Sequence, residues 1–266
     1  MTTTLKIPRP STLDRSSKTY TINGESYHRV TTVLGILAKP ALVPWATKTA
    51  LAQCEEALLK RTGAHITDTE IKAIIKEARK KPDQARDKAA DFGSLAHDSI
   101  EHYIDTGTMP VEPEFQRVVI AYDEWRTANN LPLDLTENLV WDEMLGYGGT
   151  VDAIGYKQIP LGTTSTANVL VLADWKTGGL YREAYLQVAA YAHALEMMTG
   201  EIVHEAWTVR IPRDAPKEGQ PAFQAHKLTR QHILDNFKLF EHALSLYKAV
   251  GGEWPERKGY KGVLYE

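Results

Sequence analysis

The sequence predicts an α/β fold in which a helical N-terminal half precedes a β-rich core of βββαβ order. Three observations carry that expectation. From Thr31 to Asp105 the apolar residues recur at helical spacing, whereas after about Leu133 they fall into short strand-like runs. Val169–Ala173 is an uninterrupted apolar run, as expected of a central strand covered on both faces. Composition permits one elaborated domain: of 266 residues, 43% are apolar and 24% charged, which excludes wholesale disorder.

In chain order, residues 1–18 are rich in Thr, Ser and Pro and read as a flexible arm. Thr19–His28 places Asn23-Gly24 between two short alternating runs, the signature of a β-hairpin with a type I′ turn. The helical stretch that follows is expected to break at Pro40, Pro44 and Pro82. Thr67 and Glu70 form a capping box ahead of Ile71, Ile74 and Ile75. One helix is predicted over Asp83–Ile104 and another over Glu112–Asn129. Strands are predicted at Leu139–Leu145, Gly149–Tyr156, Val169–Ala173, Glu205–Ile211 and Ala222–Leu228, with helices at Leu180–Met198 and Gln231–Ala249. Residues 19–132 thus form a hairpin and helical elaboration, and 133–266 the core.

Charge and cysteine content narrow the chemistry. A net charge of −3 gives no global sign of a polyanionic partner, so any such claim must rest on local features. The single cysteine, Cys54, excludes an internal disulfide framework, a Cys-based zinc site and a four-cysteine iron–sulfur cluster, and fits a reducing cytoplasm. MTTTLKIPRP has no apolar signal region, and the longest uncharged stretch, Gln158–Ala173, holds Pro and several Thr and Asn; neither a secretory signal nor a membrane span is expected. There is no P-loop, so an ATP-driven motor is not expected in this chain.

The third strand of the core ends in Asp174-Trp175-Lys176, and Asp152 sits late in the strand before it. Strand alternation sends Asp174 and Lys176 to one face. If the two strands pair, Asp152 and Asp174 converge, and two carboxylates there would repel unless a cation bridged them. Oxygen ligands of this kind suit Mg²⁺ or Mn²⁺. A neighbouring lysine can orient or deprotonate a water, or stabilise charge on a phosphate. Upstream, His97 and Glu101 share a helix face at i and i+4; downstream, Gln187 and Tyr191 do the same. Taken singly, each motif also reads as an ordinary strand end or a half-buried helical pair.

Taken in order, Gly93–His97, Gly149–Asp152, Asp174–Thr177 and Gln187–Tyr191 resemble the PD-(D/E)xK nuclease superfamily, in particular its RecB-type exonuclease branch. Arg29–Leu34, followed by Lys39-Pro40 and Pro44-Trp45, is similar to the N-terminal part of small phage exonucleases, a broad group that includes the mitochondrial genome maintenance exonuclease. The resemblance covers Arg29 to Glu196. It implies a restriction-endonuclease-like core, a mixed central sheet flanked by helices, with a helical N-terminal elaboration. It further implies metal ligation by His97, Asp152, Asp174 and the Trp175 backbone carbonyl, a catalytic Lys176, and Gln187 and Tyr191 orienting the site and touching DNA. Glu137, ahead of the first core strand, aligns loosely with an accessory acid. Val151 stands where the family name has Pro, and the four cysteines of the iron–sulfur members are missing.

The function so implied is a Mg²⁺- or Mn²⁺-dependent DNA exonuclease using one or two ions. It would act on single strands or free ends in phage or bacterial recombination, repair or DNA turnover. A bacterial cytoplasm, phage-encoded or not, would be its setting, with a recombinase, single-strand-binding protein or helicase as possible partners and no membrane. DNA binding is expected along Glu70–Lys88, where Lys72, Lys76, Arg79, Lys80, Lys81, Arg86 and Lys88 outnumber Glu70, Glu77, Asp83 and Asp87. Trp45, Phe92 and Tyr181 are candidate stacking surfaces for unpaired bases. A helical half arched over the sheet would form a channel for a single strand. The alternatives are a structure-specific or restriction-like endonuclease on the same core, a non-catalytic nucleic-acid-binding module, and a purely structural helical adaptor.

Overall fold

The computed structural model describes residues 5–16, 18–161 and 165–250; the remainder of the arm and the last residues of the core segment lie outside the described residues. The fold is α/β, with a mixed, open eight-stranded sheet flanked by helices. The chain divides into two compact units, Met1–Leu37 with Ala96–Glu266, and Ala38–Leu95.

In the larger unit, β1 (Leu13–Arg15), β2 (Thr19–Ile22) and β3 (Glu25–Arg29) form an antiparallel ribbon. Asn23 and Gly24 turn the β2–β3 hairpin with φ of 53° and 89°, the two positive angles that a type I′ turn requires. A one-turn helix α1 (Val30–Val33) follows. The sheet continues through β4 (Leu133–Asp142), β5 (Tyr147–Leu161), β6 (Ser165–Lys176), β7 (Val203–Arg210) and β8 (Gln224–Thr229). β4 pairs antiparallel along one edge of β5. The other edge of β5 is shared: β3 pairs parallel with Tyr147 and Gly148, and β6 pairs antiparallel from Ala153 onward. Residues 149–152 lie between these partners, at the mouth of a fork. β6 and β7 are parallel and joined through helix α5 (Arg182–Thr199); β8 closes the sheet antiparallel to β7.

Helices α5 and α6 (Arg230–Ala249) cover one face of the sheet. Val151, Ile154, Leu170 and Leu172 from the strands pack there with Val188, Ala192, Leu195, Phe240 and Leu244. Each of the Val, Ile, Leu and Phe side chains among them, once fully buried, contributes about 1.5–3 kcal/mol. Gly200, with φ of 74°, ends α5 in the left-handed conformation that glycine adopts without strain. Helix α4 (Pro113–Ala128) supplies Tyr122 and Trp125, which meet Trp175 of β6 at 5.1 and 5.4 Å between ring centroids. Trp125 also meets Trp207 of β7, at 5.6 Å, so the opposite side of these strands is closed by aromatic edges.

The smaller unit contains α2 (Leu42–Leu59) and the first part of α3 (Asp68–Thr106). Pro44 falls in the first turn of α2, where its missing N–H costs nothing, and the Thr67/Glu70 capping box forms at the start of α3. Pro82 does not break the helix, contrary to the sequence expectation of a break there. The bond lost is the one to the carbonyl of Ala78, a buried residue, and the strong helix formers on either side, Glu77 to Lys81 and Gln84 to Arg86, carry the helix past it. Among the described residues no helix is long and apolar enough to cross a membrane.

Candidate functional site

The fork in the sheet builds the site. β5 and β6 pair up to Ala153↔Ala173 and then part. The Trp175 N–H beyond that point donates to Asp152 Oδ2 at 2.6 Å, fixing the first aspartate against the end of β6. Asp174 projects to the other face from Trp175, toward α5, where Gln187 Nε2 donates to its Oδ1 at 3.0 Å. Gln187 also donates to the Tyr191 hydroxyl at 2.9 Å. The Tyr191 ring lies so close to Gly149 that a Cβ there would stand 2.1 Å from Cε1; glycine is required for this approach. Lys176 Nζ forms a short ion pair with Asp174 Oδ2.

His97, on the last turns of α3, brings Nδ1 to 3.4 Å from Asp152 Oδ1. Glu137 completes the group from the opposite strand. It lies across from Asp152, between the paired residues Thr136↔Ala153 and Asn138↔Val151, and carries a φ of 48°. Ligand-type atoms of His97, Glu137 and Asp152 all lie within 4.8 Å of one another. Glu137 is exposed as a residue, yet its carboxyl end belongs to this group.

The electrostatics follow from crowding. Desolvation, then the charges of Asp152 and Glu101, push the Glu137 carboxyl up to about 7. Burial disfavours the His97 imidazolium, but Asp152, by charge and hydrogen bond, outweighs it with help from Asp174, and the imidazole is pushed up to about 9. Burial raises the Asp174 carboxyl; Lys176 opposes that rise and Asp152 adds to it, leaving Asp174 above its ordinary value. Lys176 is likewise held above its ordinary value: burial works against its charge, and Asp174 and Asp152 overcome it. The site therefore retains protons on groups that a divalent cation would displace. Two carboxylates and an imidazole form a donor set that could hold a divalent cation.

Of the residues picked from the sequence, Asp152, Asp174, Lys176, Gln187, Tyr191, Trp175 and His97 meet around this fork. Asp174 is committed to Lys176 and Gln187, and Trp175 offers its N–H to Asp152. Glu137 lies inside β4, which starts at Leu133 and not at Leu139 as the sequence predicts, and this longer strand sets it opposite Asp152. Lys72, Lys76, Arg79, Lys80, Lys81, Arg86 and Lys88 belong to the Ala38–Leu95 unit and are all exposed. Lys80 pairs there with Glu77, and Arg86 with Asp83 and Asp87. No protein-family model matches the chain, and no curated protein matches it either.

Proposed function

We propose that this protein is a metal-dependent deoxyribonuclease with a restriction-endonuclease-like core of the PD-(D/E)xK type, acting as an exonuclease on single strands or free DNA ends. The observation that carries this reading is the fork itself. It gathers His97, Glu137 and Asp152 on one side and the Asp174–Lys176 pair with Gln187 and Tyr191 on the other.

In this reading His97, Glu137 and Asp152 would hold Mg²⁺ or Mn²⁺, which when bound would supply Lewis acidity to activate a water and polarise the scissile phosphate. Lys176 stays protonated at neutral pH because Asp174 and Asp152 favour its charge, so it serves as a cation that orients the water and neutralises phosphate charge. Asp174 holds that ammonium in place, and Gln187, braced by Tyr191, holds Asp174. The Trp175 N–H orients Asp152. The exposed lysines and arginines of α3 supply a sequence-independent phosphate contact. Work on DNA ends in phage or bacterial recombination, repair or turnover is the biological role this activity fits.

Cleavage of end-labelled linear single-stranded, linear duplex and closed circular DNA, with Mg²⁺, Mn²⁺ or EDTA, tests the reading beside Lys176→Ala. Metal-dependent loss of linear substrates alone, absent in the variant, is expected. Nicked or linearised circles would make the enzyme an endonuclease. DNA binding without cleavage under either metal would make the chain a binding module.

A further inference from the structure

The ends of β6 and β7 carry a cation that the chemistry above does not use. We propose that Arg210 is a phosphate-binding residue of this site, holding a phosphodiester group of the DNA strand beside Lys176. The proposal rests on the reading of DNA as substrate.

The placement follows from strand pairing. β6 and β7 are parallel, with Asp174↔Thr208 and Lys176↔Arg210 in register. Register partners leave the same face of a sheet, with their strands about 4.8 Å apart. Arg210 therefore stands beside Lys176, one strand further from Asp152. The Ile211 N–H donates to the Lys176 carbonyl at 2.9 Å, so the ladder extends past both cations and fixes the backbone beneath them.

The guanidinium is held, and held by neutral groups. Nε donates to the Gly178 carbonyl at 2.7 Å, and Nη1 to Gln224 Oε1 at 3.1 Å. Arg61, Arg86, Arg126, Arg213 and Arg230 each meet a carboxylate. Among the described residues none lies within ion-pair distance of Arg210, and its Nη2 has no hydrogen-bond partner. Lys176, by contrast, is already paired with Asp174. A phosphate approaching this rim meets one cation that is paired and one that is oriented but unpaired. Two tethers fix the plane of the guanidinium before binding, which reduces the entropy lost when a phosphate oxygen takes the remaining N–H groups. A planar donor beside a compact ammonium suits a tetrahedral anion, and along a DNA strand that anion is the phosphodiester.

Anisotropy of a fluorescent single-stranded oligonucleotide, titrated in EDTA at several salt concentrations, tests this without cleavage. Arg210→Gln is expected to weaken binding about tenfold at low salt and to lower the salt slope by about 0.7. Arg210→Lys should keep the slope. Gln224→Ala, which removes a tether but leaves the cation, should keep it too. A single methylphosphonate linkage near the labelled end should weaken wild-type binding and leave Arg210→Gln unchanged. Wild-type affinity and slope in Arg210→Gln would overturn the inference while leaving the DNA reading intact. Equal losses in Arg210→Gln and Gln224→Ala with no change in slope would reduce Arg210 to a structural tether and also overturn it. Failure of the wild-type protein to bind DNA would overturn both.

Discussion

The larger unit contains two histidine–aspartate pairs that differ little in local geometry and greatly in setting. His193 Nε2 lies 3.2 Å from Asp142, and His97 Nδ1 lies 3.4 Å from Asp152; the histidine side chains are 27% and 28% exposed. Asp142 closes the turn between β4 and β5, accepting the Leu145 N–H at 2.8 Å, while His193 stacks on Phe237 at 3.8 Å. Burial would raise the Asp142 carboxyl, but hydrogen bonds from His193 and the Leu145 amide hold it below its ordinary value. That pair is satisfied. At Asp152 the same pairing is surrounded by Glu137, Glu101 and Asp174, and the acids are pushed the other way. A histidine beside an aspartate is not by itself a candidate site; a surplus of converging negative charge is what sets the second pair apart.

The widest separation between the two pairs should come from asparagine substitutions. Asp152→Asn is expected to reduce DNA cleavage by about a thousandfold or more with the fold retained. Asp142→Asn should leave cleavage in place and cost about 2 kcal/mol of stability, seen as a lower urea midpoint. The reverse pattern would dissolve the distinction.

Next in size is the contact that braces the Asp174 side of the fork. Gly149→Ala drives a Cβ into the Tyr191 ring, so Tyr191 must shift and Gln187 loses its brace. A stability loss of about 1–3 kcal/mol, with a fall in cleavage, is expected. Unchanged melting and activity would show that Tyr191 yields freely and positions nothing.

The pH dependence of the metal-free protein sharpens the comparison further, because the two pairs have opposite signs. Glu137, at about 7 against an ordinary 4.5, holds its proton longer folded than unfolded, so its contribution to stability declines as pH rises from 4.5 through 7. His97, at about 9 against 6.5, gives a stabilisation that is complete below 6.5 and lost as pH rises through 9. Asp142 is depressed, so its stabilisation is present above the ordinary carboxylate range and disappears on acidification below it. Urea midpoints across pH should therefore decline from 4.5 to 9, and Glu137→Gln should flatten the lower half of that decline. A variant profile identical to wild type would remove Glu137 from the group. Smallest of all, neutralising one exposed lysine such as Lys72 should change DNA affinity only a few-fold, and only at low salt.

Much of this arrangement was legible in the chain. The Asn23-Gly24 turn, the Thr67/Glu70 cap and the apolar run before Asp174 each express a local rule that tertiary packing did not override. The elements bearing His97, Asp152, Asp174, Lys176, Gln187 and Tyr191 could be placed because helical and strand periodicity fix their faces. Two features were only partly legible, for physical reasons. Pro82 does not break its helix, because the strong helix formers on either side of it outweigh the single bond lost at the carbonyl of buried Ala78. Glu137 was legible only as a loose match to an accessory acid ahead of the first strand: Leu133–Asn138, with Asp, Glu and Asn among its residues, masks the strand, and the pairing to β5 and positive φ that bring Glu137 to Asp152 are not written in local pattern. Arg210 was unreadable for a related cause, since only the register of β7 against β6 sets it beside Lys176.

Titration of the purified protein with Mn²⁺, followed by calorimetry, bears most directly on the claim that the fork is a cation site. The account predicts binding by the wild-type protein and by Asp142→Asn, and its loss in Asp152→Asn. Binding that survives in Asp152→Asn, or that disappears in Asp142→Asn instead, would contradict it.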